Sequence, residues 1–484
     1  MIRSALLGLA LVLTAVPLSG QDDKDFVARH IDERAARYGT LAQSIWDLAE
    51  VGYREAESSA LLQAELRDAG FTVNAGVAGM PTAFVASYGS GAPVVAVLAE
   101  FDALPGLSQA RLPTRSPLAG REAGHACGHH LFGAGSVAAA VATAAWMQEH
   151  GVGGTVRVYG TPAEEGGAGK VYMVREGLFD DVDVTLHWHP SDANSASVYS
   201  TLANKSAKFR FHGRSAHAAA APERGRSALD GVEAMNHMVN LLREHVPEQS
   251  RIHYVITSGG AAPNVVPDFA EVFYYVRHPD PVVVDEIFTR LTQAAEGAAL
   301  GTQTRVEHEV IHGIYALLPN EVLARAAHAN LSRVGGVAYS DDERRFAETL
   351  QRSFDAPPPL SAATEVEPFE VETGTAPVST DVGDVSWVTP TVGLSTATWV
   401  PGSAAHSWQA VASGGTEIGN KGMIAAAKAL AMTAIDLFED SALVRAATDE
   451  YRARVGPDFE YVPLLGDRAP PLDYRSGSDE AGGS

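Results

Sequence analysis

The residues that could do chemistry fall in short clusters. Gly124-His125-Ala126-Cys127-Gly128-His129-His130 holds three imidazoles and the only thiol of the chain. Glu100-Phe101-Asp102, Glu164-Glu165 and His187-Trp188-His189-Pro190 add carboxylates and two more imidazoles, and His406 stands alone further on. A thiolate with imidazoles suits a late divalent metal such as Zn²⁺, and carboxylates admit Mn²⁺ or Co²⁺. Singly, each cluster also reads as plain structure: a solvated acidic loop, or a histidine satisfied in the core. Of His187 and His189, only one is expected to face the site.

The elements that must position them decide between these readings. Apolar strands are predicted over 83–88, 94–99, 155–160 and 182–186, with a long helix over 131–150. The 133–140 stretch is small and apolar on nearly every face, which buries that helix against the sheet. A helical pattern covers 26–69 and stops at Gly70. Strands alternating with helices predict an α/β fold with a mostly parallel sheet. In such a sheet ligands collect at the carboxyl ends of the strands. Glu100-Phe101-Asp102, Glu164-Glu165 and His187–His189 each follow a strand, the 392–395 strand leads towards His406, and the cysteine cluster precedes the buried helix. Five segments therefore converge on one rim. A pair of ions bridged by water fits such a donor set better than one tetrahedral ion with an open position. Of two adjacent glutamates, one can ligate and the other serve as general base.

Between 205 and 313 the pattern changes to strand, helix, strand, strand, helix, strand, the split β-α-β-β-α-β order of a small ferredoxin-like sandwich inserted into the first unit. From Asn320 helices resume, with a late strand over 392–395 and a helix over 423–438. Residues 341–376, rich in Asp, Glu and Pro, read as an irregular surface excursion, and the chain from about Arg468 reads as loose. The expected spans are a leader over 1–20, a catalytic domain over 21–204 and 314–445, the insertion over 205–313, and a tail over 446–484.

The motifs EFDALP (100–105), GHACGHHL (124–131), GTPAEEGGAG (160–169), LHWHP (186–190), GRSAHAAA (213–220), APNVVP (262–267) and STDVGDVS (379–386) resemble the di-metal aminoacylase and carboxypeptidase family of metallopeptidases. The likeness, over roughly 40 to 440, is to its amidohydrolase branch, near the p-aminobenzoyl-glutamate hydrolases. The resemblance implies Cys127, His129, Glu165, His189 and His406 as ligands of two divalent ions, Zn²⁺ or Mn²⁺ with Co²⁺ a third option. It implies Glu164 as general base and Asp102 as the acid that orients a ligand. It makes the inserted domain a dimerisation and lid domain that sends His217 to the partner's site in a homodimer, or to a homologous second subunit. Asn264 would help hold the substrate and Arg277 would grip its carboxylate. The implied activity is hydrolysis of the amide bond of N-acyl amino acids, often with an aromatic acyl group, or of dipeptides. His130 is an extra ligand, an orienting group or neither. The rival readings are an amidohydrolase with Cys127 as nucleophile and a binding protein that retains metals without catalysis.

Composition bounds these readings. Of 484 residues 46% are hydrophobic and 20% charged, a globular balance, and the net charge of −23 excludes a general attraction to nucleic acid or anionic membrane. One cysteine excludes an intrachain disulfide. Arg3, the apolar run 5–16 and the polar Gln21-Asp22-Asp23-Lys24 have the layout of a secretory signal, so export to a periplasm or beyond is expected, an uncleaved anchor being the alternative. No other run approaches the length of a membrane span. In an oxidising compartment a metal would also shield the lone thiol.

Overall fold

Val94–Ala99 is buried at every residue and lies inside a six-stranded sheet. The order across the sheet is Thr72–Ala75, Phe84–Ser90, Gly154–Gly160, Val94–Ala99, Val184–Ser191 and Thr391–Ala397. The last four run parallel, and the first two make an antiparallel edge. Continuous apolar runs such as VVAVLA suit strands covered on both faces. The computed structural model describes residues 19–475. The expected leader lies outside these residues, apart from Ser19 and Gly20, which open the first helix, Ser19–Asp32.

The 26–69 pattern is three helices rather than one. Ser19–Asp32, Ala35–Leu48 and Ala56–Asp68 are separated at Glu33-Arg34 and by a crossing at 49–55, where Ala49 takes a left-handed conformation (φ 47°). All three helices keep one apolar face on a common core, so the heptad-like signal carried through the breaks. The central helix, His129–His150, is long and apolar enough to span a membrane by composition, contrary to expectation, but 94% of its apolar window is buried inside the protein. Leu62, Trp188 and Met423 pack against it, and Gly133 and Gly135 allow that approach.

A second sheet has its own apolar core, built on Phe209, Phe211, Met235, Val272, Tyr274 and Leu291. Its strands, in spatial order Arg251–Ser258, Phe269–His278, Ala203–His212 and Arg305–Ile314, are all antiparallel. The helices Ala228–Leu242 and Pro281–Thr302 cover one face.

Three further expectations are corrected. The 182–186 strand runs on to Ser191 because it pairs with Thr391–Ala397 along that whole length, so His187 and His189 lie within it. Residues 341–376 are ordered. Ser340 and Glu343 form a reciprocal cap that starts the Asp341–Gln351 helix, and Val371–Thr375 pairs in parallel with Val198–Ser200. Three of the acidic residues that suggested a surface loop, Asp341, Asp342 and Glu343, are that helix's first turn, where negative charge is favourable. As far as Arg475, the last described residue, the tail is not loose either. Ser441–Val455 is helical across the expected boundary at 446. Beyond it Leu464 and Leu465 are buried, and Arg468 donates to the carbonyls of Val310 and Ile311.

Candidate metal centre

The clusters sit at or near the ends of strands and at the start of a helix, His189 two residues before its strand ends at Ser191. Glu100 and Asp102 leave the Val94–Ala99 strand, and Glu164 and Glu165 form a turn after Gly154–Gly160. Cys127 precedes the central helix and His129 is its first residue. Gly128 between them is left-handed (φ 77°), and a Cβ there would meet Pro190 at 2.5 Å, so this spacing requires glycine. His406 enters on a left-handed turn (φ 59°), its N–H bonded to the Ala126 carbonyl at 2.9 Å.

Ligating atoms of Cys127, His129 and His189 lie within 4.8 Å of one another, as do those of Cys127, Glu165 and His406, and those of Glu100, His129 and Glu164. Cys127 Sγ is 3.4 Å from His189 Nε2, and Glu165 Oε1 is 3.0 Å from His406 Nε2. Cys127 belongs to two of the groups, which places its sulfur between two imidazole-bearing sites. Asp102 holds the set in register: one oxygen meets His129 Nδ1 at 2.8 Å, and the other accepts the N–H of Glu165 at 2.9 Å. His129 Nε2, turned inward, is 3.1 Å from Glu100 Oε2.

The donors fit divalent metals on two observations. Glu100 Oε2, His129 Nε2 and Glu165 Oε1 are buried yet make no hydrogen bond among the described residues, although each has a polar neighbour close by. Buried polar atoms converging without hydrogen-bond alignment are what a cation would satisfy. Burial, with Glu100 and Glu165 beside it, also holds the Glu164 carboxyl well above the usual carboxylate range. Such a concentration of negative charge calls for compensating cations. Burial and the neighbouring His129 push His189 down to about 4, leaving a neutral imidazole, the form that ligates.

His187 and His130 are elsewhere. His187 lies against Gly393, where an added Cβ would be 2.3 Å from its Nε2, and burial pushes it down to about 3. His130 Nε2 meets the Gly414 carbonyl at 3.0 Å and His125 Nε2 that of Ile45 at 3.1 Å, so both tie the loop to neighbouring helices.

Sequence reasoning missed Lys170, Asp381 and Glu55. Lys170 is fully buried, with Nζ 2.6 Å from Glu100 and 2.7 Å from Asp381. A lysine inside the small and apolar run GGAGKVYMV was the available signal. Glu55 accepts the N–H of Ala163 at 2.9 Å, next to the Glu164-Glu165 turn, and burial raises it to about 8. Nothing local marks Glu55.

None of the residues assigned to the second sheet is among the side chains that converge on this centre. His217 is exposed, its Nδ1 accepting from the N–H groups of Ala219 and Ala220. Asn264 is its neighbour through the His217–Val265 bridge. Arg277 lies over Tyr275 on the open face of the sheet, in a groove of about 760 Å³ with Arg251, His253, Tyr254 and Phe273. A larger cavity, about 900 Å³ between the Ala35–Leu48 and Glu417–Glu439 helices, contains none of the predicted site residues.

The sequence matches peptidase family M20/M25/M40 over residues 96–351. It is 41% identical to a p-aminobenzoyl-glutamate hydrolase subunit of Escherichia coli, over 91% of this chain and 97% of that protein. The chain belongs to the M20 peptidase family. The Xaa-Arg dipeptidase of Mus musculus is 30% identical, over 88% of this chain and 92% of that one. A different subunit of the same E. coli hydrolase is 29% identical over 53% of this chain and 61% of its own length. Among solved structures, the aminobenzoyl-glutamate utilization protein of Klebsiella pneumoniae shares the fold, with a TM-score of 0.58 at 18% identity, covering 84% of this chain and 97% of that one. A dinuclear metal-binding M20 peptidase of Bacillus subtilis aligns with a TM-score of 0.56 at 17% identity, over 84% and 99%. This M20 chain is therefore a hydrolase of amide and peptide bonds.

Proposed function

We propose that this M20 hydrolase cleaves N-acyl amino acids, with aromatic acyl groups such as p-aminobenzoyl favoured, or dipeptides, at a centre of two divalent ions held by Cys127, His129, Glu165, His189 and His406. The convergence of these five side chains, with three buried donor atoms left without hydrogen bonds, carries the reading. Zn²⁺ or Mn²⁺ suits the donors, and Co²⁺ is the third candidate. Bound there, the ions would polarise the scissile carbonyl and acidify a water. Glu164 accepts the proton of the attacking water and returns it to the leaving amine. Asp102 orients His129 and Glu165 together.

The second sheet is read as an inserted ferredoxin-like domain over 205–313 that closes on the site and pairs with a twin. His217 and Asn264 lie exposed and belong to none of the converging groups, as side chains acting on a partner's site would. His217 then stabilises the oxyanion across the interface, while Arg277 grips the substrate carboxylate beside the aromatic lining of its groove. The partner is a second copy of this chain or a homologous one, as the E. coli hydrolase has two different subunits that both resemble it. Export of the mature chain is proposed on the leader layout.

A screen of N-acyl amino acids and dipeptides against apo protein reloaded with Zn²⁺, Mn²⁺ or Co²⁺ tests this. Two ions per chain and activity lost on chelation and regained on reloading are expected. Full activity without metal would favour Cys127 as nucleophile, and metal without turnover of any substrate would favour a binding protein.

A further inference from the structure

The last described stretch of chain crosses from the second sheet to the metal centre. Tyr461 donates to Asp384 at 2.7 Å, and Leu464 and Leu465 pack where Gly313 leaves no room for a side chain. Arg175 then holds the carbonyls of Gly466 and Arg468, while Arg468 itself donates to the Val310 and Ile311 carbonyls at the bulge of the Arg305–Ile314 strand. The described residues reach the glutamate turn at Tyr474 and Arg475. There the Tyr474 hydroxyl donates to the Glu165 carbonyl at 3.1 Å, and Arg475 Nη2 donates to the same oxygen.

These contacts are built into the surroundings. The Tyr474 ring meets Tyr53 edge-on at 5.6 Å, and Arg475 lies over Tyr474 at 4.7 Å. A Cβ on Gly52 would be 2.3 Å from the Tyr474 oxygen, so the first crossing loop is shaped to admit that hydroxyl. The glutamate turn needs such support. Ala163 and Gly166 both have positive φ (58° and 95°), and Ala163 is a residue that seldom adopts it. Four anchors come from far away in the chain: Glu55 on the Ala163 N–H, Asp102 on the Glu165 N–H, Tyr53 on the Gly167 carbonyl, and the Tyr474–Arg475 pair on the Glu165 carbonyl. The Glu165 residue is thus gripped at its amide by the acid that also orients His129, and at its carbonyl by the Tyr474–Arg475 pair.

We propose that Tyr474 and Arg475 are positioning residues for Glu165, so that the C-terminal segment completes the metal centre. The inference rests on Glu165 being a ligand. Without the two donors the turn can rotate, and the Glu165 carboxylate no longer faces His406. Support of this kind commonly sets metal affinity by about 10- to 100-fold.

The test compares full-length Tyr474→Phe, Arg475→Met, Arg475→Lys and the Tyr474→Phe/Arg475→Met pair with the wild type. Zn²⁺ dissociation constants come from competition with a chromogenic chelator, and metal-free melting is recorded alongside. The double variant should lose about 10- to 100-fold in affinity for one of the two ions and keep the other within about twofold. Arg475→Lys, which retains a donor, should recover part of the loss, and Tyr474→Phe alone should show a smaller one with unchanged metal-free melting. Wild-type affinity for both ions in the double variant overturns the proposal. So does equal weakening of both ions together with a lowered metal-free melting point, which marks general support of the fold. A wild type that binds two ions while the variants match it sinks this inference alone. A wild type that binds none sinks the metal reading and this inference with it.

Discussion

Glu164 and Glu165 are consecutive, yet their surroundings separate their roles. Glu165 has its amide on Asp102 and its carboxylate beside His406, whereas Glu164 faces Glu100 and His129. Glu164→Gln should keep metal content near that of the wild type while lowering kcat by about 10²–10⁴, the usual worth of a general base. Glu165→Gln should instead lose an ion, measured by elemental analysis after desalting. Exchanged phenotypes would reverse the two assignments. The choice between His187 and His189 belongs to this scale as well. The two are two residues apart and so share a face of the strand; alternation does not separate them, and only the positions of Gly393 and Cys127 do.

At the scale of elements, the central helix shows how packing overrides local preference. Helix propensity alone favours alanine over glycine by about 1 kcal/mol at an interior position. A Cβ on Gly133 would lie 2.7 Å from the backbone carbonyl of Glu100, at the end of the strand that carries Glu100 and Asp102. Gly133→Ala is therefore expected to destabilise the protein, by the ~1–3 kcal/mol typical of overpacking, and to lower activity with it. Denaturant unfolding beside a kcat measurement decides the matter, and a variant more stable than wild type would show that the strand end yields. The 341–351 helix carries the converse lesson. Its Ser340–Glu343 cap was readable as a start signal, but the acidic and proline-rich composition around it suggested a loop.

Across the whole molecule, Asp384 couples the 382–386 helix, Tyr315 at the edge of the second sheet, and Tyr461 in the C-terminal segment. Burial raises it to about 7, against the hydrogen bonds from Tyr461 and Tyr315. Between about pH 4 and 7 the unfolded chain releases this proton while the folded chain keeps it, so stability falls as pH rises through that window and levels off above it. At ~1.4 kcal/mol per unit the wild type should lose a few kcal/mol relative to Asp384→Asn across it. Melting of both proteins from pH 4 to 8 measures this, and a constant difference would remove the claim. The proposed dimer yields a second whole-molecule test. Co-expressed Glu164→Ala and His217→Ala chains, each inactive alone, should regain roughly a quarter of wild-type activity, because about half the dimers are hybrids with one complete site. Background activity with hybrids confirmed would place His217 outside catalysis in trans.

The alternation of strands and helices and the rim on which the clusters meet were legible in the sequence alone, whereas the choice of His189 over His187 was not. Alternation and rim are local facts: apolar runs set the strands, and each cluster lies within a few residues of the end or start of its own element, His187 and His189 inside theirs. Even the strand, helix, strand, strand, helix, strand order of the second sheet was legible, since each of its elements carries its own periodicity. The tertiary structure decided what depends on residues distant in the chain. Lys170 meets Glu100 and Asp381 across 70 and 211 positions, Glu55 supports Ala163 from 108 positions away, and Tyr474 reaches Glu165 over 309. No periodicity links such pairs, because a hydrogen bond between side chain and distant backbone constrains one residue at each end and leaves the intervening sequence free.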